Sequence, residues 1–440
     1  FLPRIFSTTP CFSSVDKFFV GAFLLRRDSV TLQIIGKDRK TEQIVKLFDY
    51  KDVKTCDISF DELISILKNR TFDTLFLCKY QKEIIPYIDE LSNMAYKTDY
   101  VDTIINKENH TIGINSLYHG IEQFLRNYSI HNKDVMLTGY TEITKTFEIY
   151  CENENVKSLY IVDMNQEQSL VQAYASHMDV QVLINTTKIG SIHDIDSMPM
   201  ELSRFFNLEM VMDTINDPIL PLLILEARKS DISTLNGLPL EIYTIKSMLE
   251  NRQNVTIPYI VTKKVIKNIL YRRTNIVLIG MPSSGKSTIG KLLHKRLHKE
   301  FIDMDSMIVK KTGMKIPEIF EKSKEAGFRK IESMVSHELG MQHGIIIGTG
   351  GGTIKSEYNM DSLKRNGIIV FIDRKLDLLK TKDANRPLSS SKEAVKKLYE
   401  ERYPLYMQYA DIHIPNNGVF KNTIQEIVKE CQTVISKSVK

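Results

Sequence analysis

One stretch limits what this chain can fold into: Asn275-Ile-Val-Leu-Ile-Gly280-Met-Pro-Ser-Ser-Gly285-Lys286-Ser287-Thr288. Four apolar residues, Ile276 to Ile279, run straight into a glycine, as a buried parallel strand feeding a tight turn does. Gly280 to Ser287 match G-x-x-x-x-G-K-[ST], the phosphate-binding loop. Beyond it, Ile289, Leu292, Leu293 and Leu297 recur at the spacing of an amphipathic helix. The glycines let successive N–H groups converge on one point, and the helix start adds the positive end of its dipole. Gly280, Ser283, Ser284, Gly285, Lys286, Ser287 and Thr288 are therefore the expected nucleotide-binding set. Lys286 neutralises the terminal phosphates and the Ser287 hydroxyl ligates Mg²⁺. The motif names a nucleotide, not a second substrate.

At 440 residues the chain is too long for one ordinary core, so two or three domains are expected. Its 42% hydrophobic and 26% charged content are those of a globular protein, and the net charge of +5 is spread along the chain. Spread lysines read as solvated surface, so no nucleic-acid partner is expected. The five cysteines, Cys11, Cys56, Cys78, Cys151 and Cys431, form no C-x-x-C pair. They suggest neither a zinc site nor a disulfide framework, and read as reduced thiols of a cytoplasmic protein. The apolar run Phe18 to Leu25 is too short to span a bilayer, so no membrane association is expected. The chain opens on Phe1, as a processed chain or a piece of a longer one would.

Strand-like and helical runs alternate along the chain, which predicts α/β architecture with parallel sheets. Strands are expected at Val30–Ile35, Thr74–Leu77, Val135–Leu137, Leu159–Val162, Val180–Ile184 and Met210–Met212. Helices are expected at Phe60–Leu67, Glu83–Leu91, Ile121–Arg126 and Ile424–Val434. The predicted organisation is a first subdomain at 1–120, a second at 121–252, a basic linker at 253–273 and a nucleotide-binding domain at 274–440.

Polar residues cluster in the last of these. Phe301-Ile302-Asp303-Met304-Asp305 reads as a short strand with two acids at i and i+2, on one side of an extended chain. Beside a magnesium nucleotide, one can hold the metal while the other takes a proton from an attacking hydroxyl. Arg329 and Glu332 lie three apart on a predicted helix, the spacing of a surface ion pair. Ile345 to Ile347 form a second buried strand running into Gly350, Gly351 and Gly352, where something must approach the backbone closely. Arg386 sits in a polar loop able to close over phosphates. Arg402, after a charged helix, can fork onto a carboxylate.

From about 275 to 440 the chain resembles shikimate kinase. The matching pieces, in that family's order, are GMPSSGKST, FIDMD, FRKIE, IGTGGG, NRPL and ERYPLYMQYAD. The resemblance implies a P-loop NTPase fold of the nucleoside-monophosphate-kinase type, with ATP and shikimate as substrates and Mg²⁺ as cofactor. It implies that Lys286 and Ser287 serve ATP and Mg²⁺, with Asp303 near the metal. Asp305 would hold and deprotonate the shikimate 3-hydroxyl, and Arg329 and Arg402 would clamp the carboxylate. Gly350, Gly351 and Gly352 would line the substrate, and Arg386 would be the lid arginine. Lys324 departs from the family pattern, which has glycine there, and Lys382 stands where the lid carries a further arginine.

Residues 1 to about 250 resemble shikimate dehydrogenase in a degenerate form, which implies a substrate-binding subdomain followed by a Rossmann-type one. Lys79 stands at that family's catalytic lysine. Gly113-Ile-Asn115-Ser-Leu117-Tyr-His-Gly120, Ile184-Asn185-Thr186-Thr187, Asp213 with Pro218, and Leu235-Asn236-Gly237 fit its other motifs. Leu117, however, takes the place of the catalytic aspartate, and Asp102 that of a substrate-binding asparagine. The dinucleotide loop reads Gly139-Tyr140-Thr141-Glu142, with two glycines lost and a carboxylate where phosphates should sit. Asp163 suits a ribose hydroxyl, not the 2′-phosphate of NADP. NADP binding by this half is therefore not expected.

The reading these residues support is a shikimate kinase, active in chorismate and aromatic amino acid biosynthesis, fused to an inactive dehydrogenase-like half. Other enzymes of that pathway are the expected further partners. Three alternatives stand beside it: a bifunctional dehydrogenase and kinase, a non-catalytic scaffold in the N-terminal half, and a kinase for another small hydroxy compound.

Overall fold

The computed structural model describes residues 32–36, 39–50, 52–379 and 391–438. Cys11, the Phe18–Leu25 run, Lys382 and Arg386 lie outside these described residues.

Among the described residues three sheets follow one another. The first contains β1 (Leu32–Ile35), β2 (Val53–Cys56), β3 (Thr74–Leu77), β4 (Glu90–Leu91), β5 (Thr103–Lys107) and β6 (His110–Ile114), in the order β2-β1-β3-β5-β6-β4. It is mixed, not parallel as expected, because β5 runs antiparallel to both β3 and β6. The cause is a two-residue hairpin, in which Glu108 and Asn109 both take positive φ (53° and 65°). That turn geometry usually selects Asn-Gly or Asp-Gly, so Glu-Asn gave no signal. The predicted helix Glu83–Leu91 is a short 3₁₀ turn, Ile85–Tyr87, followed by β4, since Pro86 interrupts the run. Helix Phe60–Asn69 forms as expected, with Ser59 and Glu62 closing a reciprocal cap at its start.

The second sheet contains β7 (Asp134–Thr138), β8 (Ser158–Val162), β9 (Val182–Asn185), β10 (Met210–Asp213) and β11 (Ser233–Leu235), in the order β11-β10-β9-β7-β8. The third contains β12 (Asn275–Ile279), β13 (Phe301–Asp303), β14 (Ile346–Gly348), β15 (Gly367–Asp373) and β16 (Ile412–Pro415), in the order β13-β14-β12-β15-β16. Both are wholly parallel. Their central strands, β9 and β12, are buried at every position, which explains their apolar runs Val182–Ile184 and Ile276–Ile279. Val277, Ile279, Ile347, Ile369 and Phe371 form the middle of the third core. The basic stretch expected as a linker is helical over Tyr259–Arg273, and the closing helix spans Phe420–Lys437.

The chain divides into two compact units. The first takes the described residues up to Ser129, with 145–153 and 240–265; the second takes 130–144, 154–239 and everything from 266 on. The second and third sheets thus share one unit. Among the described residues Cys56, Cys78, Cys151 and Cys431 are in no disulfide. No described helix is long and apolar enough to cross a membrane.

Candidate active site

The phosphate loop is built by close approaches that forbid a side chain. Gly280 (φ +146°) lies so near β15 that a Cβ would stand 2.5 Å from the Ile372 carbonyl oxygen. Gly285 (φ +101°) opens the helix Lys286–Leu297, and its Cβ would meet Asn416 Nδ2 at 2.8 Å. That amide donates to the Ser284 carbonyl at 2.8 Å, fixing the loop from outside. Lys286, only 8% exposed, donates from Nζ to the Gly280 and Met281 carbonyls at 2.8 and 2.9 Å.

Ser287 follows on the same helix, and its Oγ donates to Asp303 Oδ2 at 2.7 Å. Two hard oxygens therefore stand side by side at the mouth of the loop, which is the ligand chemistry Mg²⁺ prefers, so the residues present fit that ion. The expected Asp-x-Asp strand is corrected here. The strand ends at Asp303, which caps the helix Met304–Thr312 by accepting from Ser306 N at 3.2 Å. Asp305 is in that helix's first turn, so its direction comes from the helix start and not from a two-residue strand alternation.

The glycine run forms the opposite wall. A Cβ on Gly351 would lie 2.8 Å from Pro282 Cδ, so this turn rests against the phosphate loop itself. Gly350 faces Asp305 Oδ1 and Glu332 Oε1, which a Cβ would meet at 3.2 and 3.1 Å. Gly352 lies under Arg329, whose Nη2 a Cβ would meet at 2.6 Å. From the other side Arg402 Nη1 donates to the Gly351 carbonyl at 2.9 Å. Asp305, Arg329 and Arg402 thus converge on one turn, beside the loop that carries Lys286. Arg402 lies inside the helix Lys392–Tyr409, not after it as expected, and is 3% exposed. Its Nε has no acceptor among the described residues.

Two residues escaped sequence reasoning. Glu332 was expected to make a surface ion pair; it is buried, 1% exposed. Its Oε2 accepts from Arg329 Nη1 at 2.7 Å and its Oε1 from Thr353 Oγ1 at 2.8 Å. It therefore fixes both the arginine and the end of the glycine turn. Burial works against the Arg329 charge, but the Glu332 and Glu325 carboxylates outweigh it and raise its pKa above the ordinary guanidinium value. Tyr406 is the second, donating to the same Gly351 carbonyl at 2.6 Å. A glutamate three residues after an arginine carries no mark of burial in the sequence, and neither does a tyrosine four after Arg402. A cleft of about 400 Å³ opens beside Arg329 and Gly352, lined also by Lys330, Lys355 and Asn359; Lys286 and Asp305 are not on its wall.

The dehydrogenase-like residues behave differently. Lys79 donates to Asp57 Oδ1 and to the Ile58 carbonyl at 3.0 and 2.7 Å. Asp102 is buried and accepts from Ser116 N, Leu117 N and Thr103 Oγ1 at 2.8, 2.8 and 2.9 Å. It caps the helix Ser116–Leu125 together with Asn115, and burial pushes its carboxyl up to about 6. Asp213 accepts from Ile215 N and Asn185 Nδ2, its Oδ2 has no partner among the described residues, and burial pushes it up to about 7. Asp163 is engaged by its own turn, through Asn165 N and Gln166 Nε2 at 3.0 and 2.8 Å. At Gly139 (φ +119°) a Cβ would meet Thr186 Oγ1 at 2.8 Å and Thr144 Oγ1 at 3.2 Å. Those hydroxyls bond each other at 2.7 Å, across the space above the turn.

Comparison with known proteins places both halves. Residues 282–435 match the family model for shikimate kinase. A shikimate kinase of Clostridium beijerinckii is 45% identical over 158 residues, covering 35% of this chain and 93% of that protein. One from Clostridium botulinum is 40% identical over 160 residues, covering 36% of this chain and 96% of that protein. Among solved structures, a chorismate mutase/shikimate 5-dehydrogenase fusion protein from Clostridium acetobutylicum aligns with a TM-score of 0.51 at 19% identity. The alignment covers 55% of this chain and 98% of that one, a likeness of fold alone.

Proposed function

This chain belongs to the shikimate kinase family, and from that premise we propose that residues 274–440 transfer the γ-phosphoryl group of ATP to the 3-hydroxyl of shikimate. The observation that carries this reading is the convergence of Asp305, Arg329 and Arg402 on the Gly350–Gly352 turn, with Gly351 resting on Pro282 of the phosphate loop. A carboxylate-bearing ring held by two guanidinium groups presents one hydroxyl to one acid, and the donor phosphates lie next door.

In the transfer, Arg329 and Arg402 hold the acceptor's carboxylate and Asp305 takes the proton from its 3-hydroxyl. The oxygen so freed forms a bond to the γ-phosphorus as the bond from that phosphorus to the ADP oxygen breaks. Lys286 and the loop N–H groups offset the charge that gathers on the phosphoryl oxygens. Ser287 and Asp303 would hold Mg²⁺, which would supply positive charge to offset that of the phosphates. Arg386, outside the described residues, is assigned the lid role.

The N-terminal part we read as a dehydrogenase-like region that has lost its reaction, as subdomains 1–120 and 121–252 joined by 253–273 to the kinase. Leu117 has no proton to share, Lys79 is turned to Asp57, and threonine hydroxyls fill the dinucleotide turn. The setting we assign is the cytoplasm, and the pathway that of chorismate. The test is phosphorylated product: the chain with ATP, Mg²⁺ and shikimate yields a shikimate phosphate seen by mass spectrometry. If ATP is hydrolysed while shikimate stays unmodified, the reading fails.

A further inference from the structure

Within its second compact unit the chain packs the Rossmann-type sheet against the kinase along a polar seam. Ile219 N donates to Asn366 Oδ1 and Leu220 N to the Arg365 carbonyl, both at 2.8 Å. Lys229 reaches Glu357 and Asp361 at 2.8 Å each. His343 and Arg273 both reach Asp217, at 2.7 and 3.5 Å. The Lys229 pairs hold the kinase helix Glu357–Lys364 and the Ile219 and Leu220 bonds the residues just after it; that helix follows the glycine turn and its short 3₁₀ extension Thr353–Lys355.

One residue of the dehydrogenase-like side reaches further. Asp196, in the segment after β9, accepts from Arg365 Nη2 through Oδ1 at 2.9 Å and from the Tyr358 hydroxyl through Oδ2 at 3.2 Å. Tyr358 in turn bonds His337 Nδ1 at 3.0 Å, and the two rings stack at 6.2 Å between centroids. His337 belongs to the helix Ile316–Gly340, the same helix that carries Arg329 and Glu332. Arg365 is 3% exposed, its Nε and Nη1 have no partner among the described residues, and Asp196, in direct contact, and then Asp361 supply the negative charge that answers it. The helices meet closely at Gly340, where a Cβ would stand 2.1 Å from the Ser362 carbonyl oxygen. Asp196 therefore ties together the two helices beside the acceptor pocket: one bears the arginine and the other follows the glycine turn beneath it.

We propose that Asp196, contributed by the dehydrogenase-like half, is a positioning residue for the kinase's acceptor-binding pocket. It acts through Tyr358, His337 and Arg365, and touches no substrate itself. The proposal rests on the reading that Arg329 and the Gly350–Gly352 turn bind the acceptor. It gives the degenerate half a use that needs no dehydrogenase chemistry: it braces the carboxylate clamp from behind. A small rotation of either helix moves Arg329 relative to Gly352, where the spacing has no slack.

The experiment is steady-state kinetics on the full chain and three variants, Asp196→Ala, Asp196→Asn and Tyr358→Phe, with thermal unfolding measured on each. Asp196→Ala is expected to raise the KM for shikimate on the order of tenfold, the scale of coupling through a packed network. Its kcat and its KM for ATP should stay within about twofold. Asp196→Asn keeps one acceptor oxygen, for Arg365 or for Tyr358, but not the charge, so its KM should lie between those of Asp196→Ala and the wild type, as should that of Tyr358→Phe. A shikimate KM unchanged in Asp196→Ala overturns the proposal. So does a lowered kcat at unchanged KM with a lower melting temperature, which marks a purely structural contact. Wild-type chain without shikimate-dependent turnover would instead sink the functional reading beneath it.

Discussion

The chain carries two strand–turn–helix units of the kind that bind phosphates, and they differ in what occupies the space above the turn. At Gly280–Ser287 the backbone needs positive φ at Gly280 and Gly285, and a lysine ammonium sits in the loop. At Gly139–Glu142 the positive φ of the first glycine survives, but Thr144 and Thr186 close over it and bond each other. Tyr140 is 77% exposed and Glu142 opens the next helix with a negative charge. On the proposed reading a fold outlasts its chemistry: the second sheet is wholly parallel with a buried centre, while the turn that would meet a dinucleotide carries other side chains.

The largest effects should separate the two regions by their lysines and acids. Lys286→Ala and Asp305→Ala are expected to lower shikimate-dependent ADP release by about 10²- to 10⁴-fold. Lys79→Ala should leave that rate unchanged. A comparable loss in Lys79→Ala would break the comparison. Next comes Gly352→Ala. The atoms nearest the added methyl are those at the end of the Arg329 side chain, so the guanidinium shifts and the fold survives. The KM for shikimate should rise on the order of tenfold, with kcat little changed and the melting temperature kept.

A smaller effect sharpens the other side. Asp213 has its carboxyl raised from 3.8 to about 7 by burial. The folded chain thus holds a proton that the unfolded chain releases near pH 4. The stabilising contribution is full below that point, falls as pH rises, and is gone above about pH 7. Asp213→Asn should flatten the fall in melting temperature between those limits; an unchanged slope would show that Asp213 is not the titrating group.

The smallest effect expected concerns Lys324. It sits at φ 59° and ψ −174° inside the helix Ile316–Gly340, a conformation nearly reserved for glycine. Lys324→Gly relieves that strain but frees the unfolded chain, leaving a net gain of about 1 kcal/mol. Denaturant titration reads it directly, and a loss of stability would contradict the strain.

Much of the kinase was legible because its signals are local. A strand, a glycine turn and a helix are set by neighbouring residues, so the phosphate loop, the Ile346–Gly348 strand and the closing helix read out in order. The departure at Lys324 was visible too, and its cost follows from the backbone alone. What escaped depends on partners distant in sequence. Glu332 is a buried anchor only because Thr353 and Arg329 meet it from different elements, and Tyr406 matters only because Gly351 comes within reach. Asp303 and Asp305 straddle a strand end, where a two-residue alternation no longer holds. The Glu108–Asn109 hairpin turned a sheet expected to be parallel into a mixed one. Asp196 gave no signal at all, since its partners lie in a different sheet's domain.

The most direct test gives the full chain shikimate, ATP, Mg²⁺ and NADP⁺ together, and follows ADP release and NADPH absorbance in the same sample. The account predicts ADP release that requires shikimate and an absorbance that stays flat. Reduction of NADP⁺ on adding shikimate, or ADP release at the same rate without it, would contradict it.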